Sequence, residues 1–231
     1  MQPYFFPYIG YWQLASAVDT FVVFDDVNYK VRGWIHRNRI LVNGEVQYFG
    51  LRIRHASQNR LINQTQLAMA NGDFEHLLHT LERAYSSARH FRQVQPELKD
   101  VLRSTTPDLT QFLVCHLRHF FGLLGIRARI VRASEMPNPS GHRAQQRILD
   151  ICELLGATTY INAPGGVGLY EPGAFAARNV DLRFVSSRVG RYEQFVPEFV
   201  PNLSIIDVLM HNGFRRTREM IMDYELVTSD C

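Results

Sequence analysis

Apolar and polar positions change their period several times along this chain, and each change marks an element. The run Phe21-Val22-Val23-Phe24 is short and apolar, and it ends on Asp25-Asp26, as a buried strand does. Residues 39–43 and 47–53 flank Asn43-Gly44, a dipeptide that favours the left-handed backbone of a tight hairpin turn. Helical periodicity follows over 74–89, 91–102 and 108–124, the last opened by Pro107-Asp108 and stopped by Gly125. The second half alternates. A strand at 128–131 precedes a helix at 143–155, whose Ile148, Ile151, Cys152 and Leu155 share a face that ends at Gly156. Then come a strand at 158–161, a short helix at 171–178 and a strand at 182–185. Helices at 204–210 and 215–224 close the chain, separated by Gly213. This order predicts an α/β fold: a mostly parallel sheet flanked by helices, with a β-hairpin near 39–53 and a helical insertion near 74–124. No linker, repeat or low-complexity tract divides it, so residues 1–231 are read as one domain.

The start is unlike an ordinary strand or helix. Met1-Gln2-Pro3-Tyr4-Phe5-Phe6-Pro7-Tyr8-Ile9-Gly10-Tyr11 holds two prolines and five aromatic residues. The prolines fix the local backbone and restrict the residues before them. A stiff loop is expected, feeding a helix over 9–18 whose N-terminus would cradle an anionic ligand. It lacks the basic and apolar regions of a secretory signal. A fold of this class ordinarily has a strand ahead of such a loop. The sheet position beside 21–24 is therefore expected to be irregular or exposed.

Composition narrows the class. A hydrophobic content of 46% supports a packed core, and no apolar run approaches the roughly 20 residues of a membrane span. The chain reads as soluble and cytoplasmic. Cys115, Cys152 and Cys231 are odd in number and widely spaced, which predicts reduced, buried thiols and no zinc cluster. Net charge is +3, and no basic stripe is dense enough to imply nucleic acid. Of 25 cations only Lys30 and Lys99 are lysines. Arginine clamps phosphate and carboxylate, though a codon bias toward Arg explains the same excess.

Candidate chemistry sits at loop positions. Asp25 and Asp26 end a strand, where α/β sheets place their ligands, and either would serve as a general base. Strand alternation points them in opposite directions. Trp34, His36, Arg37, Asn38 and Arg39 combine stacking, titration, charge pairing and fixed polar contacts, a set suited to a nucleotide or phosphosugar. Ser57, Gln58 and Asn59 form a polar loop fit for binding; no His-Asp pattern marks Ser57 as a nucleophile. Asn162, Gly165 and Gly166 lie between a strand and a short helix, with Tyr170 placed to close over a ligand. Gln2, Tyr4, Tyr8 and Asn28 complete the binding candidates. His116 and His119 are spaced for a metal pair but lack an acidic third ligand nearby, so no metal and no cofactor is called.

Several of these stretches together resemble the WbqC-like protein family of bacterial surface-polysaccharide gene clusters. They are Met1-Gln2-Pro3-Tyr4 with Gly10-Tyr11, Phe24-Asp25-Asp26-Val27-Asn28-Tyr29, Gly33-Trp34-Ile35-His36-Arg37-Asn38-Arg39-Ile40, Ala56-Ser57-Gln58-Asn59-Arg60-Leu61-Ile62, the stretch 160–166 with Tyr170, and Pro201-Asn202-Leu203-Ser204-Ile205-Ile206-Asp207. The chain departs from the family pattern at His36, where Asn is usual, and in lacking a short strand ahead of Gln2-Pro3. The resemblance implies a transferase that builds or decorates O-antigen-type glycans. The reading taken forward is acyl or aminoacyl transfer to a nucleotide-linked amino sugar. Glycosyl transfer and a non-enzymatic subunit that binds a sugar nucleotide or a carrier protein stand as alternatives. The expected partners are a nucleotide sugar and an acyl or aminoacyl donor, free or on a carrier protein; the residues do not specify an oligomeric state.

Overall fold

The computed structural model describes residues 1–103 and 106–228. After the N-terminal loop come α1 (Ile9–Ser16), β1 (Thr20–Val23), the hairpin β2 (Arg37–Val42) and β3 (Glu45–Gly50), and the short strands β4 (Ile53–Arg54) and β5 (Gln66–Leu67). Three helices follow, α2 (Asn71–Tyr85), α3 (Phe91–Leu102) and α4 (Leu109–Leu124). The second half runs β6 (Arg129–Arg132), α5 (Ala144–Leu154), β7 (Thr159–Asn162), α6 (Pro172–Ala176), β8 (Asp181–Ser187), α7 (Ile205–Ile221) and β9 (Tyr224–Val227). The fold is α/β, with the hairpin and the helical insertion where the pattern puts them.

The sheet is less parallel than expected. Among the described residues the strands form several small sheets, and only β1 with β6 and β7 with β8 pair in parallel. The pairs β2–β3, β4–β5 and β8–β9 are antiparallel. Strand β9 begins on Tyr224, read above as the last residue of a helix. The helix stops where the Asp223 N–H bonds back to the Met220 carbonyl, and Tyr224 then pairs with Ser187. On the side of β1 away from β6, the Met1 amine donates to the Val22 carbonyl and the Met1 carbonyl accepts from the Phe24 N–H, each at 2.8 Å. That is one residue of irregular pairing beside the strand, as expected.

Local chemistry explains the helix ends. The Asp108 carboxylate caps α4 by accepting the Gln111 N–H at 2.7 Å, and Gly125 ends it at φ +72°. Gly213 interrupts α7 with φ +67° and ψ 175°, so the two closing helices are halves of one kinked helix. A side chain there would also meet the His90 ring at 2.7 Å, so glycine serves both the kink and the close approach.

The larger core joins the N-terminal loop, α1, the hairpin, the helical insertion and α7. Phe5, Phe6, Tyr11 and Trp12 have no exposed surface, so the aromatic start is interior packing and not an exposed docking patch. Each such ring contributes about 1.5–3 kcal/mol by burial. His116 points into this core and His119 bonds Glu97 at 2.9 Å, so the two part company and make no metal pair. A smaller core gathers Cys152, Phe175 and Phe184 around α5, α6 and β8. Cys152 is buried as expected. Cys115 is not: it lies on the exposed side of α4. Cys231 falls outside the described residues. Among the described residues no helix is long and apolar enough to cross a membrane.

Candidate functional site

The N-terminal loop is held in an unfavourable turn. Phe6 has φ +42°, a region that residues other than glycine rarely adopt. The surrounding bonds fix it there. Asn38 donates its amide to the carbonyls of Phe5 (3.3 Å) and Phe6 (2.8 Å), and Ser204 Oγ donates to the same Phe6 carbonyl at 2.8 Å. Backbone bonds from Phe5 N–H to Ile35 and from Ile205 N–H to Pro7 lock both sides. The turn leaves Tyr4 and Tyr8 on one side. Together with Trp34, Asn38, Arg39 and Asn202 they line a cavity of about 300 Å³.

The electrostatics of this cavity are lopsided. Arg39 gives one N–H to the Asn202 carbonyl at 3.3 Å, while its Nε is buried without an acceptor. Among the described residues no carboxylate lies within ion-pair distance of it. Its guanidinium sits 5.4 Å from the Trp34 ring centre, so one face of the indole is already covered. Burial raises the pKa of Tyr4 and of Tyr8, and the neighbouring Tyr8 adds to the rise at Tyr4. Both phenols stay protonated. Asn38 is buried, and its oxygen accepts the Arg39 N–H at 2.9 Å, so its amide frames the cavity and is not free for a ligand.

The rest of that stretch faces elsewhere. Arg37 donates to the carbonyls of Gly33 and Arg32 and stacks 4.3 Å over Tyr48. His36 shares a 2.6 Å hydrogen bond with the Tyr29 hydroxyl. Burial, aided by the Arg37 charge, pushes the His36 pKa down to about 4, and burial pushes Tyr29 up to about 12. His36 is therefore a neutral hydrogen-bonding partner at pH 7 and does not titrate near neutrality.

The paired acids diverge as strand alternation requires. Asp25 has no exposed surface and accepts from Ser134 N–H (2.9 Å), Ser134 Oγ (2.8 Å) and Arg132 Nε (3.0 Å). Asp26 accepts from Arg147 Nε at 3.1 Å, and Arg147 in turn donates to the carbonyls of Ala133, Met136 and Pro137. Two arginine bridges, one through the buried Arg147 and one through the half-buried Arg132, thus tie the end of β1 to the turn after β6. One oxygen of Asp26, Oδ1, is buried and has no partner. Neither acid lines the cavity.

The remaining candidates are also apart from it. Asn162 donates to the hydroxyls of Tyr160 (3.0 Å) and Tyr170 (2.7 Å), so Tyr170 closes on Asn162. A Cβ at Gly166 would stand 3.1 Å from that amide nitrogen, which accounts for the glycine; at Gly165 it would meet nothing. Asn59 N–H bonds Ser57 Oγ at 3.2 Å in a local turn, with Gln58 and Asn59 exposed, and exposed Asn28 bridges to Leu61. Gln2 is half-buried and its carbonyl accepts from Tyr11. Of the binding candidates, Tyr4, Tyr8, Trp34, Asn38 and Arg39 share one cavity. Asn202 lines the same cavity; its one sequence signal is the turn dipeptide Pro201-Asn202, and it takes φ +57°.

A model of the WbqC-like protein family matches residues 2–219. The chain belongs to the WbqC-like protein family. Within it, the chain is similar to the uncharacterized protein Rv1507c of Mycobacterium tuberculosis, at 26% identity over 221 residues and 92% of each chain. No solved structure matches. The segments that bring this WbqC-like chain its cavity, the Gln-Pro loop, the Trp34 stretch and the turn at Asn202, all lie inside the matched range.

Proposed function

We propose that this WbqC-like protein is a transferase of surface-polysaccharide biosynthesis that passes an acyl or aminoacyl group to a phosphorylated amino sugar. The observation that carries the binding half is the Arg39 cation, which has no counter-ion among the described residues and shares its cavity with the phenols of Tyr4 and Tyr8 and with Asn202. A guanidinium so placed favours an anionic ligand, because phosphate or carboxylate oxygens supply the acceptors that Nε lacks. The volume stands at the small end of ligand sites, enough for a sugar ring with one phosphate and not for a whole nucleotide sugar. A nucleotide would therefore project outside.

In this reading the sugar amine attacks the acyl carbonyl, a C–N bond forms, the bond from the carbonyl to the donor's leaving group breaks, and the amine proton passes to a base. Neither Asp25 nor Asp26 lines this cavity and each is held by an arginine, so the proton passes to a basic group of the donor or to solvent. A thermal-shift panel of sugars, sugar phosphates and nucleotide sugars tests the proposal. A ligand held at 100 times its dissociation constant adds about 2.7 kcal/mol of stability. Stabilisation by phosphorylated amino sugars and not by the neutral sugars is the expected result; no response to any of them would remove the reading.

A further inference from the structure

The charge of this chain is unevenly distributed. Between Val27 and Gly72 lie seven of its 25 Lys and Arg residues and one of its 22 Asp and Glu residues, which leaves 18 cations against 21 acids elsewhere. This segment therefore carries the positive excess, and the remainder of the chain is net acidic. Among the described residues only Arg52 of the seven forms an ion pair, with Asp73. Among the described residues Lys30, Arg32, Arg37, Arg39, Arg54 and Arg60 have no carboxylate within 4 Å. Asp25 and Asp26, just ahead of the segment, are spent on Arg132 and Arg147.

The fold draws several of these cations together. Tyr29 N–H bonds the Arg60 carbonyl, Gly33 N–H bonds the Lys30 carbonyl, and Arg37 reaches the Arg32 carbonyl. Lys30, Arg32, Arg54 and Arg60 are exposed. Exposed apolar surface lies among them: Trp34 at 38%, Tyr48 at 61%, Val31 at 41% and Val46 at 44%. Trp34 and Tyr48 pack 6.1 Å apart, each with a guanidinium over one face. Trp34 and Arg39 belong at once to this face and to the lining of the cavity.

From these observations we infer that the face around the hairpin docks an acidic protein, one that carries the donor group on a tethered arm and delivers it to the mouth of the cavity. The inference rests on the transferase reading for its cargo and on the charge pattern for its partner. Tryptophan, tyrosine and arginine beside exposed valines make up the composition of a protein-binding hot spot. Arg37 and Arg39 stack on these rings with N–H groups turned to backbone carbonyls, so the carboxylates of an acidic partner meet the exposed Lys30, Arg32, Arg54 and Arg60. The same stacking covers the ring faces that single-stranded nucleic acid would use.

The test uses a purified acidic carrier protein bearing a phosphopantetheine arm, with binding followed by fluorescence anisotropy in low salt. Binding is expected, weakening as salt rises from about 50 to 200 mM. The exchange Lys30→Glu, Arg32→Glu, Arg60→Glu should weaken it about tenfold or more. Sugar-phosphate thermal shifts should stay as they were. The neutral set Lys30→Gln, Arg32→Gln, Arg60→Gln guards against misfolding and should fall between the two. No binding, binding indifferent to these changes, or tighter binding of a single-stranded oligonucleotide would overturn the inference. The two readings fail separately: sugar-phosphate shifts without carrier binding remove the docking and leave the transferase standing.

Discussion

The side-chain amide of Asn38 donates to the carbonyl of Phe6 at 2.8 Å and so pins a residue whose backbone is in the left-handed region. One side chain of β2 thus sets the course of the N-terminal loop. The same amide oxygen accepts from Arg39 N–H, which couples the loop to the cavity's cation.

Replacing Asn38 with Ala leaves the Phe5 carbonyl and the Arg39 N–H without this partner in a buried place, at a cost of about 2 kcal/mol. For a chain of this size that is a fall in Tm of about 4–8 °C. Ligand binding should suffer as well, because Tyr4 and Tyr8 depend on the turn. Calorimetry of the variant, with and without a sugar phosphate, checks both. An unchanged Tm would mean that the Ser204 bond holds the turn by itself.

Arg39 makes the opposite forecast. Its Nε has no partner in the protein, so Arg39→Gln should leave the unliganded protein no less stable. Affinity for a phosphorylated ligand should fall about tenfold to a hundredfold, the worth of a charge-assisted contact. Isothermal titration gives the affinity and a melting curve the stability. A variant that loses stability but binds normally would show Arg39 to be a framework residue.

The limits of what the sequence discloses follow from separation along the chain. The hairpin was legible because Asn43-Gly44 is local, and α4 because its cap and its stop lie at its own ends. Within the candidate site, the Tyr4, Tyr8, Trp34 and Arg39 grouping was within reach because two short segments supply most of it. The fates of Asp25 and Asp26 were not, since they are set by Arg132, Ser134 and Arg147, more than 100 residues away. A strand-end acid looks the same whether it meets a substrate or a buried guanidinium. The division of the sheet was hidden for a similar reason: pairing partners are a tertiary choice, and the Tyr-Glu-Leu-Val of β9 follows a helix too closely for its pattern to stand out.

Acid should unfold this protein partly through His116. The ring is fully buried among Phe5, Phe6, Trp12 and Phe120. Burial pushes its pKa down to about 3 from the ordinary 6.5. Between those values the unfolded chain binds a proton that the folded chain does not, so stability rises with pH. The contribution is intact above about pH 6.5 and is lost as pH falls toward 3. At pH 5 the loss from this residue is about 2 kcal/mol relative to pH 7.5. Denaturant titrations at the two pH values should show a difference that shrinks by about that amount in His116→Leu.

The two acids at the end of β1 separate structure from catalysis. Asp25→Asn places an N–H₂ where Arg132 Nε or the Ser134 N–H now donates, and it removes a fully buried charge from its partner. Breaking such a pair costs about 3 kcal/mol, so this variant should be markedly less stable whatever its activity. Asp26→Asn keeps a carbonyl oxygen able to face Arg147 and changes the atom that has no partner, so the fold should persist. Because Asp26 does not line the cavity, transfer and sugar-phosphate binding should both be retained in that variant. A folded Asp26→Asn that binds sugar phosphate but loses transfer about a hundredfold would give Asp26 the amine proton; full activity leaves both acids as the anchors of the turn after β6.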